Sequence, residues 1–369
     1  MEQTLKGTII YGDEFEPVDG YIIIEDGMIK NIEESTAATD AIIAPCFVNA
    51  HTHIGDSVIK DPPYLPLEEL VQPPHGLKHR ILSETSHDNL VSSMKASIAD
   101  MIKTGTCAFA DFREGGLAGV KALNEALKTP YSTPYSETPY LNTGTTGIRG
   151  TNNKIEARIF GRPVGKDMSY LELCDGSGLS STNDLEIGIV RYIVSQTKEK
   201  RKKFAIHAGE RDSSDISAAL EFAPDFLIHL THAGNKELKA ISDASIPVVV
   251  CLRSNLITGS GLPPVKKMLD EDILVAAGTD NVMLNSVNMF SEMEFLAKTT
   301  LFDDRQVFKL CTLNGAKILG IDDEIGSIKK GKKAKLMMLT KNSNNMQGIR
   351  NPLGSLVRRA RPDDIIGII

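Results

Sequence analysis

The spacing of apolar positions changes near residue 45. Before this point, short apolar runs are separated by turns, and Asp26-Gly27 stands between two β-rich runs, which is typical of a hairpin. After it, short apolar runs alternate with longer stretches of helical period, which indicates βα units around a parallel sheet. The pattern predicts eight strands: Cys46–Ala50, Thr106–Asp111, Ile155–Gly161, Gly178–Ser181, Phe204–Ala208, Phe226–Leu230, Pro247–Leu252 and Ile273–Gly278. Eight such units in about 275 residues favour a (β/α)8 TIM barrel over an open doubly wound sheet.

The end of the chain returns to β character. The segments 326–331 and 334–339 have the composition of short strands, and the simplest arrangement pairs them with the N-terminal strands. We therefore predict an α/β protein in three parts. Residues 1–45 form the first part of a small discontinuous β-sandwich, 46–322 form the barrel, and 323–369 form the return of the sandwich and a C-terminal tail.

Residues 129–153 do not fit this alternation. They begin with three short repeats of Thr-Pro-Tyr and continue with many glycines, threonines and asparagines. Prolines at this density exclude a helix or a central strand, so we expect a disordered segment or an exposed hairpin. The segment follows a helix and precedes a strand, which places its start on the face opposite the active site.

The composition is that of a soluble globular enzyme. Apolar residues make up 41% of the chain, charged residues make up 24%, and the formal net charge is −7. This charge argues against binding to nucleic acid or to anionic membranes, and no apolar stretch approaches the ~18 to 20 residues of a transmembrane helix. No signal peptide is visible, and the five cysteines lie far apart, as reduced thiols do. We therefore expect a cytoplasmic protein with a small-molecule substrate.

Histidine and aspartate residues lie at the carboxyl ends of the predicted barrel strands. His51 and His53 end the first strand, and because residues i and i+2 of a strand face the same side, their imidazoles can bind one ion together. Three other strands end similarly: His207 ends the fifth, His229 ends the sixth with His232 three residues later, and Asp280 ends the eighth. Barrel enzymes place their chemistry on this face. The pattern therefore predicts a metal site at the mouth of the barrel.

Several motifs along the chain are similar to those of one enzyme superfamily. They are PCFVNAHTH, HAGE, LIHLTHAG, VVVCLRSNL, AAGTDN, TLNGAKILG and GSIKKGKKAKLMML. Together they resemble the deaminase-type branch of the amidohydrolase superfamily, which contains cytosine deaminases and the adenosine-type and S-adenosylhomocysteine-type deaminases. The resemblance covers nearly the whole chain and implies the TIM-barrel fold. Related barrels often form dimers, so a homodimer is one hypothesis.

The resemblance also implies a role for each strand-end residue. His51, His53, His207 and Asp280 correspond to the metal ligands, His229 lies beside the reacting water, and Glu210 matches a glutamate that shuttles a proton to a ring nitrogen. No lysine is evident at the end of the fourth strand, where binuclear relatives carry a carbamylated lysine. We therefore predict one divalent ion, zinc, although Fe²⁺ and Mn²⁺ accept the same ligands.

Elementary chemistry agrees with these roles. Three imidazoles and one carboxylate leave a position open for water, whose pKa falls to about 7 at a divalent ion. Asp280 can accept the proton of that water, while Glu210 protonates the substrate nitrogen, and ammonia is then released. A solvated carboxylate at a helix start is the alternative interpretation of Glu210. We predict a hydrolytic deaminase of an aminated heterocycle, such as a nucleobase or nucleoside, with Glu210, His229 and Asp280 as catalytic residues.

Three arginines follow predicted strands on the same face. Arg113, Arg162 and Arg253 carry guanidinium groups, which suit the recognition of carboxylate or phosphate, and they suggest a substrate with an anionic arm. Alternatively, each arginine pairs with local acids such as Glu114. Arg253 also departs from the histidine that is common at this place in the S-adenosylhomocysteine-type relatives, which weakens the nucleoside hypothesis.

Two further residues are candidates for substrate binding. His232 is either near the site or a hydrogen-bonded structural histidine, and Asn255 orders its loop or contacts substrate. Two other functions stay open at this point. One is the hydrolysis of a cyclic amide or imidazolone by the same metal centre, and the other is a barrel that serves as a non-catalytic scaffold.

Overall fold

The structure, a computed structural model, describes residues 2–36, 39–131, 154–301 and 303–369. Most of the Thr-Pro-Tyr segment therefore lies outside the described residues. In the described part the strands are β1 Glu2–Tyr11, β2 Glu16–Glu25, β3 Met28–Glu34, β4 Ala41–Pro45, β5 Phe47–His53, β6 Thr106–Arg113, β7 Glu156–Gly161, β8 Gly176–Leu179, β9 Lys203–Ala208, β10 Phe226–His229, β11 Val248–Val250, β12 Val275–Ala277, β13 Asp280–Asn281, β14 Leu336–Thr340 and β15 Ile365–Ile368.

Helices follow most of the central strands. Their bounds are α1 Leu67–Val71, α2 Leu77–Glu84, α3 His87–Lys103, α4 Gly116–Leu127, α5 Ile187–Glu199, α6 Ile216–Glu221, α7 Asn235–Asp243, α8 Leu252–Ile257, α9 Val265–Asp270, α10 Met289–Leu296, α11 Asp304–Cys311, α12 Leu313–Leu319 and α13 Pro352–Arg358. In α3, the buried side chains Val91, Met94, Ile98 and Met101 recur at helical spacing, so one face packs on the barrel. None of the described helices combines the length and the apolar character that crossing a membrane requires.

Strands β5 to β13 form a closed parallel barrel, as predicted. Each strand pairs with the next along the chain from β5 to β12, and β13 then pairs with β5 through Asp280 opposite Thr52. β12 and β13 are two pieces of the eighth barrel strand, which is interrupted at Gly278 and Thr279. A Cβ atom on Gly278 would lie 2.7 Å from the backbone nitrogen of His51, so only glycine permits this approach.

Side-chain hydrogen bonds join the first and eighth barrel strands. The amide of Asn49 on β5 donates to the hydroxyl of Thr279 at 2.8 Å and accepts from the backbone nitrogen of Thr279 at 3.0 Å. Both residues are buried, so the two hydrogen bonds form in a dry environment where an unpaired amide would be costly. The first and eighth barrel strands therefore meet directly behind the strand ends that carry the predicted ligands.

The fourth barrel strand lies two residues earlier than predicted. It covers Gly176–Leu179 rather than Gly178–Ser181. Its glycines sit where neighbours approach closely, since a Cβ on Gly176 would lie 2.0 Å from the carbonyl of Lys203 and one on Gly178 would lie 2.3 Å from the ring of Phe112. Packing rather than β-propensity decides this strand, which is why its apolar pattern is weak.

The two termini meet in one six-stranded sheet with the order β15-β14-β4-β1-β2-β3. β4 is parallel to β1 and antiparallel to β14, so it joins the N-terminal strands to the C-terminal ones. This confirms that both ends of the chain build one small additional β domain. In the described residues its strands form a single sheet, where the sequence predicted a β-sandwich, and the residue boundaries of the three parts stay a prediction. The sheet has its own core, separate from that of the barrel: Leu5, Ile9, Ile22, Ile24, Ile43 and Met338 are among its members.

Candidate metal centre and active site

Five side chains converge at the carboxyl ends of the barrel strands. Four of them offer ligand atoms that all lie within 4.8 Å of one another: His51, His207, His229 and Asp280. The fifth, His53, brings its Nε2 to 3.4 Å from Oδ1 of Asp280. The residues come from β5, β9, β10 and β13, and they meet because parallel barrel strands all end on the same face.

The backbone is strained where two of these side chains attach. His229 has φ of 75°, the following Leu230 has 52°, and Asp280 has 58°, although none of them is glycine. The left-handed region costs about 1 to 3 kcal/mol for such residues, and it persists only where the surrounding structure imposes it. The strain coincides with the strand ends that deliver side chains to the cluster, which is typical of functional sites.

Hydrogen bonds on the far side of two of the rings, those of His53 and His207, fix the tautomers of these histidines. Nδ1 of His207 lies 2.7 Å from the carbonyl of Leu179, and Nδ1 of His53 lies 3.0 Å from the carbonyl of Phe112. A carbonyl only accepts, so both Nδ1 atoms carry the hydrogen and both Nε2 atoms direct a lone pair into the cluster. A backbone carbonyl that accepts from the outer ring nitrogen is the usual partner of a metal-binding imidazole.

The spacing of the inward-facing atoms fits a divalent metal ion. Ligand atoms about 2.1 Å from a tetrahedral ion lie about 3.4 Å from each other. Here Nε2 of His51 is 3.2 Å from Nε2 of His207 and 3.2 Å from Oδ1 of Asp280. That Oδ1 has no hydrogen-bond donor among the described residues, although it is buried. Imidazole nitrogens and a carboxylate oxygen at these separations form the donor set of a divalent metal site.

The electrostatics keep the donors in the protonation states that a metal ion requires. Burial lowers the pKa of His51, lowers that of His53 to about 3 and lowers that of His207 well below its usual range, so the rings are neutral. Burial opposes ionisation of Asp280, but the close approach of the imidazoles, that of His51 above all, outweighs burial and holds the Asp280 pKa well below its ordinary value. Neutral imidazoles and an ionised carboxylate are the forms that bind metals.

Glu210 lies at the edge of this cluster. Its Oε2 is 3.4 Å from Nε2 of His229, and its side chain is 18% exposed to a cavity of about 100 Å³. Burial raises the pKa of Glu210 above that of an ordinary glutamate. Because His53, His207, His229 and Asp280 line the same cavity, a bound molecule would touch both the cluster and the Glu210 carboxyl group.

The sequence profile of the amidohydrolase family matches residues 42–364. The chain belongs to this family. It is 35% identical over 390 residues to an uncharacterized protein of Methanocaldococcus jannaschii, covering 98% of this chain and 96% of that protein. It is 26% identical over 381 residues to a 5-methylthioadenosine/S-adenosylhomocysteine deaminase of Acetivibrio thermocellus, covering 95% and 86%. Its fold is similar to that of a zinc-containing adenosine deaminase from Xanthomonas campestris, with a TM-score of 0.72 and 17% identity over 98% and 90% of the two chains.

In this amidohydrolase, the five converging residues include all four predicted ligands. The sequence assigned His53 as a ligand and His229 as a neighbour of the water, whereas His229 belongs to the tight group of four and His53 approaches it through Asp280. All five are buried, and the exchange concerns only which imidazole lies slightly nearer. The division between ligands and catalytic neighbours therefore stays a prediction.

The three predicted arginines have different surroundings. Arg162 lines the cavity, and its Nη1 lies 3.7 Å from Oε1 of Glu114. Arg113 is only 1% exposed, does not line the cavity and donates from Nη2 to Glu114 at 2.7 Å. Arg253 donates from Nε to the fully buried carboxylate of Glu292 at 2.7 Å. The alternative of pairing with local acids thus describes Arg113 and Arg253, and Arg162 keeps its place as a candidate for substrate contact.

The remaining two candidates also lie away from the cavity wall. The side chain of His232 is exposed, and its backbone nitrogen donates to the carbonyl of Gly209. Asn255 is fully buried, and its amide group is hydrogen-bonded to His229 and Thr231. Its position indicates a contact with the metal cluster rather than with a ligand in the cavity.

Sequence reasoning missed Lys78 on α2. This lysine is 2% exposed and lines the cavity, where its Nζ lies 2.6 Å from Oε1 of Glu114 and donates to Oδ1 of Asn281 at 3.1 Å. Nδ1 of His53 lies 3.0 Å from the same oxygen of Glu114. Burial opposes ionisation of Glu114, but Lys78 and the other cations hold its pKa well below its usual range. The only sequence signal was the proximity of Glu114 to a strand end, and α2 gave none.

Proposed function

We propose that this amidohydrolase is a hydrolytic deaminase of an aminated heterocycle and that its single divalent ion is zinc. The observation that carries the proposal is the position of Glu210, a partly desolvated carboxyl group of raised pKa at the same cavity as the imidazole–carboxylate cluster. Deamination needs an acid for the ring nitrogen beside an activated water, and this cavity offers both. The deaminase name of the Acetivibrio thermocellus relative and the zinc in the Xanthomonas campestris structure support the same reaction and metal.

The residues that would hold the ion are His51, His53, His207 and Asp280. A zinc ion bound there would supply water activation, because the pKa of water falls to about 7 at such a centre. Ser254 donates to Oδ2 of Asp280 at 2.6 Å, so Oδ1 is the oxygen directed toward the imidazoles. The ionised Asp280 accepts a proton as water attacks the amine-bearing carbon.

Glu210 moves the other proton. Its raised pKa keeps a proton on the carboxyl group closer to neutral pH, so it can donate to the ring nitrogen and make the adjacent carbon electrophilic. His229, whose Nε2 lies 3.4 Å from Glu210, orients this carboxyl group. Delivery of a proton to the amino group then releases it as ammonia, and one water and one amine are exchanged for one carbonyl and one ammonia.

The test is ammonia release from the zinc-loaded protein with aminated purines, pyrimidines and pterins. We expect one class to be deaminated and Glu210→Gln to reduce kcat by about 100- to 10,000-fold, the usual contribution of acid–base catalysis. Zinc content of the variant serves as the control, because the amide leaves the ligands in place. Silence across the panel from fully loaded protein, with a new carboxylate formed from cyclic amides or imidazolones, would replace deamination by ring hydrolysis.

We further propose that the substrate carries an anionic or strongly accepting group that faces Arg162 and Lys78. Both cations line the cavity on the side of His53, while Glu210 lies beside His229. Matched pairs such as pterin and pterin-6-carboxylate, or adenosine and its 5′-monophosphate, test this. A lower KM for the acidic member that disappears in Arg162→Met supports the proposal, and equal turnover of both members contradicts it. The homodimer also stays a proposal, which sedimentation would test.

A further inference from the structure

Residues 253–255, shortly after the seventh barrel strand, form a short segment that touches two members of the metal cluster. Asn255 accepts from Nδ1 of His229 through Oδ1 at 3.1 Å, and its Nδ2 donates to the hydroxyl of Thr231 at 2.7 Å. Asn255 is 0% exposed, so neither amide atom is available to a substrate. Asn255 is therefore a buried hydrogen-bond partner of His229.

This contact decides which nitrogen of His229 carries the hydrogen. With Oδ1 of Asn255 as the acceptor, Nδ1 of His229 is the protonated nitrogen, and Nε2 keeps a lone pair. Nε2 is the atom that lies 3.4 Å from Glu210 and belongs to the tight ligand group. If the amide were reversed, its NH2 would donate to Nδ1, and Nε2 would point a hydrogen at the cluster.

The preceding residue acts on the aspartate. The hydroxyl of Ser254 donates to Oδ2 of Asp280 at 2.6 Å, and Ser254 is 0% exposed. This bond occupies one carboxylate oxygen and leaves Oδ1, to which no group in the described part of the chain donates a hydrogen bond, directed at the imidazoles. Two successive residues therefore orient two cluster members that lie 51 residues apart, since His229 and Asp280 come from β10 and β13.

Arg253, the first residue of this segment, connects it to neighbouring elements through hydrogen bonds. Arg253 donates from its backbone nitrogen to Oε1 of Glu292 at 3.3 Å and from Nε to Oε2 at 2.7 Å. Its Nη2 donates to the carbonyl of Ser286 at 2.8 Å, which ties α8 to α10 and to the loop between β13 and α10. The ion pair through Nε and the hydrogen bond from the backbone nitrogen of Arg253 together hold the backbone at the start of this segment in one place.

We propose that Arg253, Ser254 and Asn255 are positioning residues of the metal centre, with Asn255 setting the tautomer of His229 and Ser254 setting the free oxygen of Asp280. The proposal rests on the proposed function only for its kinetic test. Removing a residue that hydrogen-bonds to a metal ligand commonly changes metal affinity or activity by about 10- to 100-fold.

The experiment compares Asn255→Leu, Asn255→Asp and Ser254→Ala with the wild type. Asn124→Leu is the matched control, because Asn124 also makes two side-chain hydrogen bonds, donating to the carbonyls of Val120 and Leu173, but lies in α4 away from the cavity. Three readouts are taken: zinc retention against a chelator, the nitrogen NMR signal of His229 in isotope-labelled metal-free protein, and kcat and KM for ammonia release.

We expect Ser254→Ala to weaken zinc retention by about 10- to 100-fold. Asn255→Leu should lose the Nδ1–H signal of His229 and lower kcat by a similar factor with little change in KM. Asn255→Asp, which still accepts from Nδ1, should keep the signal and most of kcat. Asn124→Leu should resemble the wild type in all three readouts.

Two results would overturn the proposal. If the wild type lacks the Nδ1–H signal and Asn255→Asp gains it, the amide donates rather than accepts. If Ser254→Ala retains zinc as the wild type does, Ser254 does not position Asp280. Should Asn255→Leu fail to fold, the aspartate variant and Ser254→Ala decide the question alone. Absence of ammonia release from every substrate would count against the deaminase proposal, while the zinc and NMR readouts would still test the positioning residues.

Discussion

The two sides of the metal centre are supported by different chemistry. On one side, the partners of His53 are charged side chains: Nδ1 of His53 faces Glu114, which also forms ion pairs with Lys78 and Arg113. On the other side, His229 is backed by neutral groups, the amide of Asn255 and the hydroxyl of Thr231. Both supports are buried, and both present a ring nitrogen to the same cluster.

The two supports differ in how much stability is lost when one partner is removed. Removing one partner from a buried ion pair leaves an uncompensated charge, whereas removing one neutral partner leaves a single unsatisfied hydrogen bond. The ionic side also reaches the cavity through Lys78, so it can serve both His53 and a ligand. The neutral side contacts His229 but does not line the cavity, so it acts on the cluster alone. Function and stability are therefore coupled more strongly on the His53 side.

The largest expected effect is that of Glu114→Gln. The variant leaves Lys78 and Arg113 without their shared carboxylate, and breaking a buried pair in this way destabilises a protein by about 3 to 5 kcal/mol. Denaturant unfolding of the metal-free protein measures the loss without a contribution from bound ion. The matched control is Glu125→Gln, whose partner His87 is 53% exposed, and there we expect a much smaller loss because water screens the exposed pair. Equal losses in the two variants would remove the distinction between the two supports.

A second expected effect is a dependence of stability on pH that belongs to the ionic side. Burial raises the pKa of Asp56, whose Oδ2 lies 3.8 Å from Lys78, to about 8. The ordinary value in the unfolded chain is about 3.9, so between these values the folded state holds a proton that the unfolded state has released. Stability from this group therefore falls as the pH rises from about 4 through about 8.

Asp56→Asn should remove that part of the slope. The free energy of unfolding, measured at several pH values between about 5 and 8, should change less with pH in the variant than in the wild type. A Thr231→Val variant on the neutral side should keep the wild-type slope. Identical slopes in the wild type and Asp56→Asn would mean that the carboxyl group is ionised in the folded protein.

The smallest expected effect is the stability change of Thr231→Val. The substitution removes the acceptor of Nδ2 of Asn255 and leaves one buried amide hydrogen unpaired, which costs about 1 to 3 kcal/mol. The shape of the side chain is nearly unchanged, so little packing is lost. The same unfolding measurement applies, and a loss larger than that of Glu114→Gln would reverse the order of the two supports.

The sequence predicted the cluster well because the cluster follows a simple rule. His51, His207, His229 and Asp280 lie at or near the carboxyl ends of barrel strands, and these ends are visible where apolar runs stop. The parallel barrel then brings these ends together without any knowledge of side-chain contacts. The same rule placed Glu210, which follows a strand by two residues, beside the cavity.

The supports of the cluster could not be predicted in this way. Lys78 lies on α2, outside the alternation of strands and helices, and its hydrogen bond to Asn281 spans 203 positions of the chain. The arginines were placed correctly at strand ends, but their partners depend on rotamers, and Glu292, which binds Arg253, lies on a distant helix. The fourth strand was displaced by two residues because glycines and close packing, rather than apolar residues, define it.

The interrupted eighth strand links the metal centre to the biosynthesis of the chain. The centre draws on β5 near the start of the barrel and on β13 near its end, and Asn49 and Thr279 join these two strands. A nascent chain that has not yet extended past Asp280 lacks both the last donor and the strand that closes the ring. An ion can therefore be captured in full only by a polypeptide whose barrel has closed. Metal uptake in this protein reports the completion of folding, and truncated or misassembled chains would be left without it.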